Sequence, residues 1–213
     1  LTKTRIVGID PSGDEPGPVK AIAAALLEDA VVAYPTETFY ALGAAAFSRK
    51  AVEKVCRLKR REAAKPLSVI ASDLDMVRDI AGALPPAFRV LAAELWPGPL
   101  TLVLRASERL PEFLPGADGS IAVRIPPLAW LRRLVREISQ PLTATSANLA
   151  GEKEMADPAA VAAVFRGKVD VIVDGGPSPG GAPSTIVALT ADGYRILREG
   201  AVPAARVRGL LGS

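Results

Sequence analysis

Short apolar runs alternate with amphipathic stretches along most of this 213-residue chain. From Pro18 to Asp29 apolar residues recur at helical spacing, with Ile22 and Leu26 four apart and proline near the first turn, so a helix is predicted. Val31 to Tyr34 is a short apolar run that ends on Pro35, as a strand does. Ser48 is placed to cap a helix through about Arg60, whose Ala51, Val55 and Leu58 share one face. Leu67 to Ala71 reads as a strand, and Ser72 with Asp75 has the spacing of a capping box opening a short helix. A helix over Pro86 to Leu95 is stopped by the turn Trp96-Pro97-Gly98-Pro99.

Two strands follow, Thr101 to Arg105 and Ser120 to Ile125, then a helix from Pro127 to about Ile138. On that helix Leu131 and Leu134 mark the buried side, which leaves Arg132 and Arg133 on the solvated one. Leu142 to Thr145 is strand-like and leads into Ser146-Ala147-Asn148; a helix over Asp157 to Phe165 precedes a strand over Val169 to Val173. After a Gly- and Pro-rich loop, Gly175 to Pro183, come strands Ser184 to Leu189 and Tyr194 to Arg198, with Asp192-Gly193 as a hairpin signal. The tail from Pro203 is a short basic helix.

Some strands are separated by helices and others are joined by tight turns. The expected fold is therefore α/β with an α+β-like character, a twisted mixed parallel and antiparallel sheet flanked by helices. No linker of disordered composition and no repeat interrupts the pattern, so one domain over 1–213 is expected.

Composition narrows the chemistry. With 49% hydrophobic but only 5% aromatic residues, the core must be built from Ala, Val, Leu and Ile. The chain has no histidine, which removes Ser-His and Cys-His triads and His-ligated metals. Its one cysteine, Cys56, excludes an intramolecular disulfide and a Cys-based zinc site, and reads as a small apolar helix residue. The net charge of +3 suits phosphate ligands or RNA without demanding either. Leu1 to Pro11 has no apolar core of a signal peptide and no run reaches membrane-spanning length, so a cytoplasmic protein without membrane contact is expected.

Several segments carry candidate chemistry. The loop Gly175-Gly176-Pro177-Ser178-Pro179-Gly180-Gly181 contains G-x-S-x-G, but prolines flank the serine and no histidine exists to activate it. It is not a Walker A motif either, because no Gly-Lys-Ser/Thr ends it. In Lys59-Arg60-Arg61-Glu62-Ala63-Ala64-Lys65-Pro66-Leu67, four cations fall within seven residues beside a strand. They either complement a helix C-terminus or converge on phosphates. Tyr34 to Tyr40 (YPTETFY) and Thr143 to Asn148 place hydroxyls after strands, where they close a loop or reach a ligand. Arg124 and Arg198 each end a strand-like run, as edge charges or as two arms toward a shared anion.

In order, YPTETFYALG, KRREAAKPLSV, SIAVRIP, TATSANLAGE, VDVIVDGGPSPGGAPSTIV and ILREGAV resemble the YrdC family of threonylcarbamoyl-AMP synthases, from about Val31 to Val202. The resemblance implies a mixed sheet flanked by helices around an electropositive cavity, and the short form of the family without an extra C-terminal domain. It implies a nucleotidyltransferase that joins L-threonine, bicarbonate and ATP, with Mg2+, into threonylcarbamoyl-adenylate and pyrophosphate. A threonylcarbamoyl-transferase complex would then pass the group to tRNA, which this chain would touch directly or not at all. The resemblance assigns Lys59, Arg61 and Lys65 to the phosphates or the carbamate as catalytic cations, and Ser120, Ser146, Asn148 and Arg198 to the nucleotide. Thr38, Arg124 and Ser184 would line the threonine pocket, shaped by Thr36 and Tyr40, with Arg124 pairing the carboxylate. No protein-held metal is implied.

Three positions depart from the family pattern in the manner of its YciO-like branch. Ala41 stands where glycine is common, Glu62 where proline is common, and Ile70 where a polar histidine is common. Because alanine lacks glycine's backbone range, a changed turn or pocket width is expected at Ala41. Two other classes compete: an RNA-binding or ribosome-maturation module, prompted by the positive balance with Arg206 and Arg208, and a carbamoyl-adenylate enzyme. The second is represented by a domain of hydrogenase-maturation carbamoyltransferases, whose acylphosphatase and zinc-finger modules have no room here.

Overall fold

The computed structural model describes residues 3–13, 15–59, 67–149 and 151–212. The first half contains β1 (Arg5–Gly8), α1 (Pro16–Leu27), β2 (Val32–Tyr34), β3 (Ala41–Gly43), α2 (Arg49–Leu58), β4 (Ser68–Ile70), α3 (Leu74–Ile80) and α4 (Pro86–Leu95). The second contains β5 (Leu100–Arg105), β6 (Ser120–Arg124), α5 (Ala129–Glu137), β7 (Leu142–Ser146), α6 (Pro158–Phe165), β8 (Val171–Asp174), β9 (Thr185–Thr190), β10 (Gly193–Arg198) and α7 (Ala204–Leu211).

The strands form one ten-stranded sheet in the order β1-β8-β2-β3-β7-β4-β6-β5-β9-β10. Pairing is parallel at β1/β8, β2/β8, β4/β6 and β5/β9, and antiparallel elsewhere, so the sheet is mixed as expected. Because side chains alternate across a strand, register fixes which residues share a face. Ile70 lies beside Arg124 and Leu142, and Ser68 beside Ala122 and Ala144, so these six residues face the same way. Ala41 and Ser146 continue that face through β3 and β7.

Helices α1 and α5 cover one part of this face, packing Ile22, Leu26, Leu131 and Leu134 on Val32, Tyr34, Ile70 and Leu142. The opposite face is buried by two groups. Helices α2 and α6 pack Val55 and Phe165 on Ala33, Leu42 and Ile172, and helices α3, α4 and α7 pack Val77, Leu91 and Val207 on Val69, Leu102 and Val123. Among the described residues, no helix packs on the stretch of the first face that carries Ser68 and Ser146, and this stretch, with Ala144 and Arg124, lines a cavity.

The element order follows the apolar pattern, with boundaries that agree to within two residues. Two strands escape it. β1 is a mostly exposed edge strand, so its side chains carry little apolar signal. β3 is three small or apolar residues buried on both faces, which shows no alternation. Helix α3 is capped by Asp73, not by the predicted Ser72–Asp75 box. The Asp73 carboxylate accepts from Met76 N–H at 3.1 Å and from the Ser72 hydroxyl at 2.8 Å. That backbone bond, with the Ser72 and Arg136 donors, holds its carboxyl below the ordinary range. The β9–β10 turn falls on Ala191 and Asp192, one residue earlier than predicted.

Arg132 also departs from its expected place on the solvated face. It is half-buried, and its Nε is enclosed without a partner among the described residues.

Candidate active site

This stretch of sheet forms the floor of a cavity of about 270 Å3, small beside the roughly 300–1,000 Å3 typical of drug-sized ligand pockets. Its floor is made of short side chains, Ala41, Ser68, Ala144 and Ser146, on the same strands that elsewhere carry Leu142 and Ile70. The wall is polar, with Thr36, Thr38, Thr101, Ser184, Arg124, Arg198 and Glu154 all lining it.

One wall is the connection from β2 to β3. The Thr36 hydroxyl donates to the Phe39 carbonyl at 2.6 Å, accepts the Thr38 N–H at 3.2 Å, and lies 3.1 Å from the Thr38 hydroxyl. These local bonds close the turn and present both threonines to the cavity. The Tyr40 hydroxyl donates to the Gly176 carbonyl at 2.8 Å and accepts from Gly175 N–H at 3.3 Å. Burial pushes the phenol up to about 12, so it stays protonated and serves as an anchor. Gly180 N–H to the Thr38 carbonyl at 2.8 Å and Ser178 N–H to the Ala156 carbonyl at 2.9 Å fasten the Gly- and Pro-rich loop over the same wall. That loop runs into strand β9 and not into a helix, so the G-x-S-x-G pattern is no nucleophile elbow.

The opposite wall comes from β5, β6, β9 and β10. The Thr101 and Ser184 hydroxyls are 2.9 Å apart, and both residues are buried. The Arg198 Nε and Nη2 donate to the Ser184 carbonyl at 3.1 and 2.7 Å. A register shift between Ile196 and Arg198 explains how that side chain arrives there. Ile196 is opposite Val187 and packs on the core face, whereas Arg198 is opposite Ile186, which lines the cavity. Without the bulge the two residues would share a face.

Arg124, at the end of β6, is buried and donates from Nη1 to Glu37 Oε1 at 2.8 Å. The two side chains retain only 10% and 11% of their exposure, so this is an interior ion pair at the cavity wall. Glu37 Oε2 is enclosed with no partner among the described residues.

The resemblance assigns Lys59 to the phosphate cations and Ser146 and Asn148 to the nucleotide, and the structure brings these three side chains together. Lys59 Nζ donates to the Ser146 carbonyl at 2.9 Å, the Asn148 carbonyl at 2.6 Å and Asn148 Oδ1 at 2.5 Å. Asn148 Oδ1 also accepts from the Ser146 hydroxyl at 2.7 Å, and its Nδ2 donates to the Glu152 carbonyl at 2.6 Å. Lys59 thus staples the loop after β7 to the end of α2. Of the three, Ser146 lines the cavity.

Ser120 opens β6 at a distance from this group. Its hydroxyl donates to Asp118 at 2.6 Å, and it does not line the cavity. Arg61 and Lys65, with Glu62, lie outside the described residues. Ala41 sits in regular β3, pairing with Tyr34 and Ser146, and has no left-handed backbone angle. The expected change of turn is therefore absent, and its methyl group simply forms part of the floor. Ile70 is wholly buried in the core under α1 and α5, not at the cavity. Glycine is required two residues after Ala41, because a Cβ at Gly43 would sit 2.0 Å from the Thr143 carbonyl oxygen.

Sequence reasoning missed Glu37, Ser68, Thr101 and Glu154. Glu37 sits inside the YPTETFY segment and carried a usable signal, a carboxylate next to two hydroxyls after a strand. The others reach the site through pairing of distant strands and through the loop after Asn148, which local spacing does not reveal.

A family model described as telomere recombination, that of Sua5, YciO and YrdC, matches residues 24–200. The chain belongs to the Sua5/YciO/YrdC family. It is 34% identical to the threonylcarbamoyl-AMP synthase of Pyrococcus abyssi over 91% of its own length and 57% of that protein's. To the threonylcarbamoyl-AMP synthase of Bacillus subtilis it is 36% identical over 92% of its own length and again 57% of the relative's. The chain therefore spans little more than half the length of these two relatives. The crystal structure of P. abyssi Sua5 complexed with L-threonine superposes with a TM-score of 0.92 at 33% identity, over 98% of this chain and 61% of the other.

Proposed function

We propose that this protein is a threonylcarbamoyl-AMP synthase. It would form threonylcarbamoyl-adenylate and pyrophosphate from L-threonine, bicarbonate and ATP, for threonylcarbamoyladenosine formation in tRNA. The observation that carries this reading is the joining of an arginine fork with threonine and serine hydroxyls around a space of about 270 Å3. Such a space takes a small hydroxy amino acid and leaves a nucleotide to extend past Ser146 toward the opening. The likeness to relatives with this activity, one of them complexed with L-threonine, supports the same conclusion.

In this reading Arg124 takes the amino-acid carboxylate through its planar fork, and the hydroxyls of Thr38 and Ser184 bond the substrate hydroxyl. The amine and bicarbonate condense to a carbamate. A carbamate oxygen then attacks the ATP α-phosphorus as the bond to pyrophosphate breaks. No protein nucleophile is needed, so a site without histidine suffices; the protein positions two anions and neutralises charge on the leaving group. Arg198 and Ser146 face the nucleotide, Lys59 and Asn148 hold the loop that carries Ser146, and Arg61 and Lys65 are assigned to the phosphates by family resemblance. No cluster of three or more metal-ligating side chains is found among the described residues. Magnesium would arrive on the triphosphate and shield its charge, and Ser146 and Glu154, which line the cavity, would offer it oxygens.

The test is pyrophosphate release from ATP, omitting threonine or bicarbonate in turn. Release is expected only when both are present, because their carbamate supplies the attacking oxygen. Release indifferent to threonine would overturn the assignment and favour a YciO-like activity.

A further inference from the structure

We propose that Glu37 is a positioning residue that sets the guanidinium of Arg124 for the substrate carboxylate. The inference rests on the reading of the cavity as an amino-acid site and extends it to a residue behind the wall. Glu37 does not line the cavity, whereas Arg124 does. Their contact is a single hydrogen bond, Nη1 to Oε1 at 2.8 Å. A guanidinium has five donors in a fixed plane, so anchoring one nitrogen fixes the direction of the rest.

Two features argue that this pair is kept for orientation. The carboxylate is nine-tenths buried, yet Oε2 has no partner among the described residues. A half-satisfied buried carboxylate is a poor stabilising device, since its desolvation outweighs what one hydrogen bond returns. The backbone around it is also rigid. Glu37 stands between Thr36 and Thr38, whose turn is closed by three hydrogen bonds. The residue that orients Arg124 is thus built into the same short turn that presents the two threonine hydroxyls. Carboxylate and hydroxyl recognition are thereby set by one rigid unit.

Two conservative substitutions separate geometry from charge. Glu37→Asp keeps the charge but withdraws the carboxylate by one methylene; Glu37→Gln keeps an acceptor in place and removes the charge. Binding of L-threonine and, separately, of ATP is measured by calorimetry for each, with thermal melts as a check on folding. For a positioning role, Glu37→Asp weakens threonine binding about tenfold or more, as loss of a well-aligned charge-assisted bond does, and Glu37→Gln stays within about threefold. ATP binding is unchanged in both. The reverse order, with Gln the damaging change, would show that Glu37 acts only through charge and would overturn the proposal, as would equal threonine binding by all forms. Wild-type protein that binds no threonine would instead defeat the functional reading on which the proposal rests.

Discussion

The face of the sheet that carries Leu142 and Ser146 is occupied in two ways. Beneath α1 and α5, its residues are Val32, Tyr34, Ile70 and Leu142, packed into an apolar layer. Further along the same strands, Ser68, Ala144 and Ser146 bound a polar cavity, with Ala144 at the margin of the apolar layer. The strand β7 shows the change most simply, with Leu142, Ala144 and Ser146 as successive residues on one face. A site here is made by shrinking side chains along a continuous sheet, not by interrupting it. The backbone stays hydrogen-bonded throughout, which keeps the cavity floor rigid while its contents become polar.

The largest effect expected from this contrast concerns the substrate. If the open half binds L-threonine by its hydroxyl, L-valine takes one hydrogen bond from each of the hydroxyls of Thr38 and Ser184, which are left with only their Thr36 and Thr101 neighbours and Arg198. Discrimination in kcat/KM for pyrophosphate release should then reach about 10⁴-fold, as in sites dedicated to a substrate hydroxyl. Near-equal use of valine would mean that the open half does not read that group.

A pair of substitutions on β7 compares the halves directly. Leu142→Ala hollows the covered half and should lower unfolding stability by about 2–5 kcal/mol. Ala144→Leu fills the open half, where there is space for the longer side chain. It should leave the thermal midpoint close to wild type while lowering kcat/KM roughly a hundredfold through displaced substrate. Parallel melts and rate measurements check both, and a large stability loss in Ala144→Leu would show that the cavity is not available volume.

The two halves also differed in how far the sequence announced them. The covered half was legible, because helix periodicity in Ile22 and Leu26, and in Leu131 and Leu134, directly reports burial. In the open half, the hydroxyl-rich segments and the arginines at strand ends were visible as types but ambiguous in role. Which of them meet depends on register. Thr101 reaches Ser184 because β5 lies beside β9, and Arg198 turns inward because of a bulge at the end of β10. Ser120 shows the converse, a plausible serine on a cavity strand that stands too far along it and bonds Asp118 instead. Ala41 and Ile70 looked like changes to the site; one is an ordinary strand residue on its floor and the other belongs to the core.

The smallest expected effect tests the covered half at its margin. Arg132 was placed by periodicity on the solvated side of α5, yet its Nε is enclosed with no partner among the described residues. Replacing it by alanine removes two opposing contributions. The aliphatic stem loses its packing, which lowers stability, while an unpaired buried donor disappears, which raises it. These nearly cancel, so Arg132→Ala should change unfolding stability by no more than about 0.5 kcal/mol, a shift of roughly 2 °C or less for a chain of this size. Threonine and ATP binding should be unaltered, because Arg132 does not line the cavity. A stability loss of several kcal/mol would show that the guanidinium is a structural element of the layer beneath α1 and α5. A loss of threonine binding with a normal melt would show that the boundary between the covered and open halves has been drawn in the wrong place.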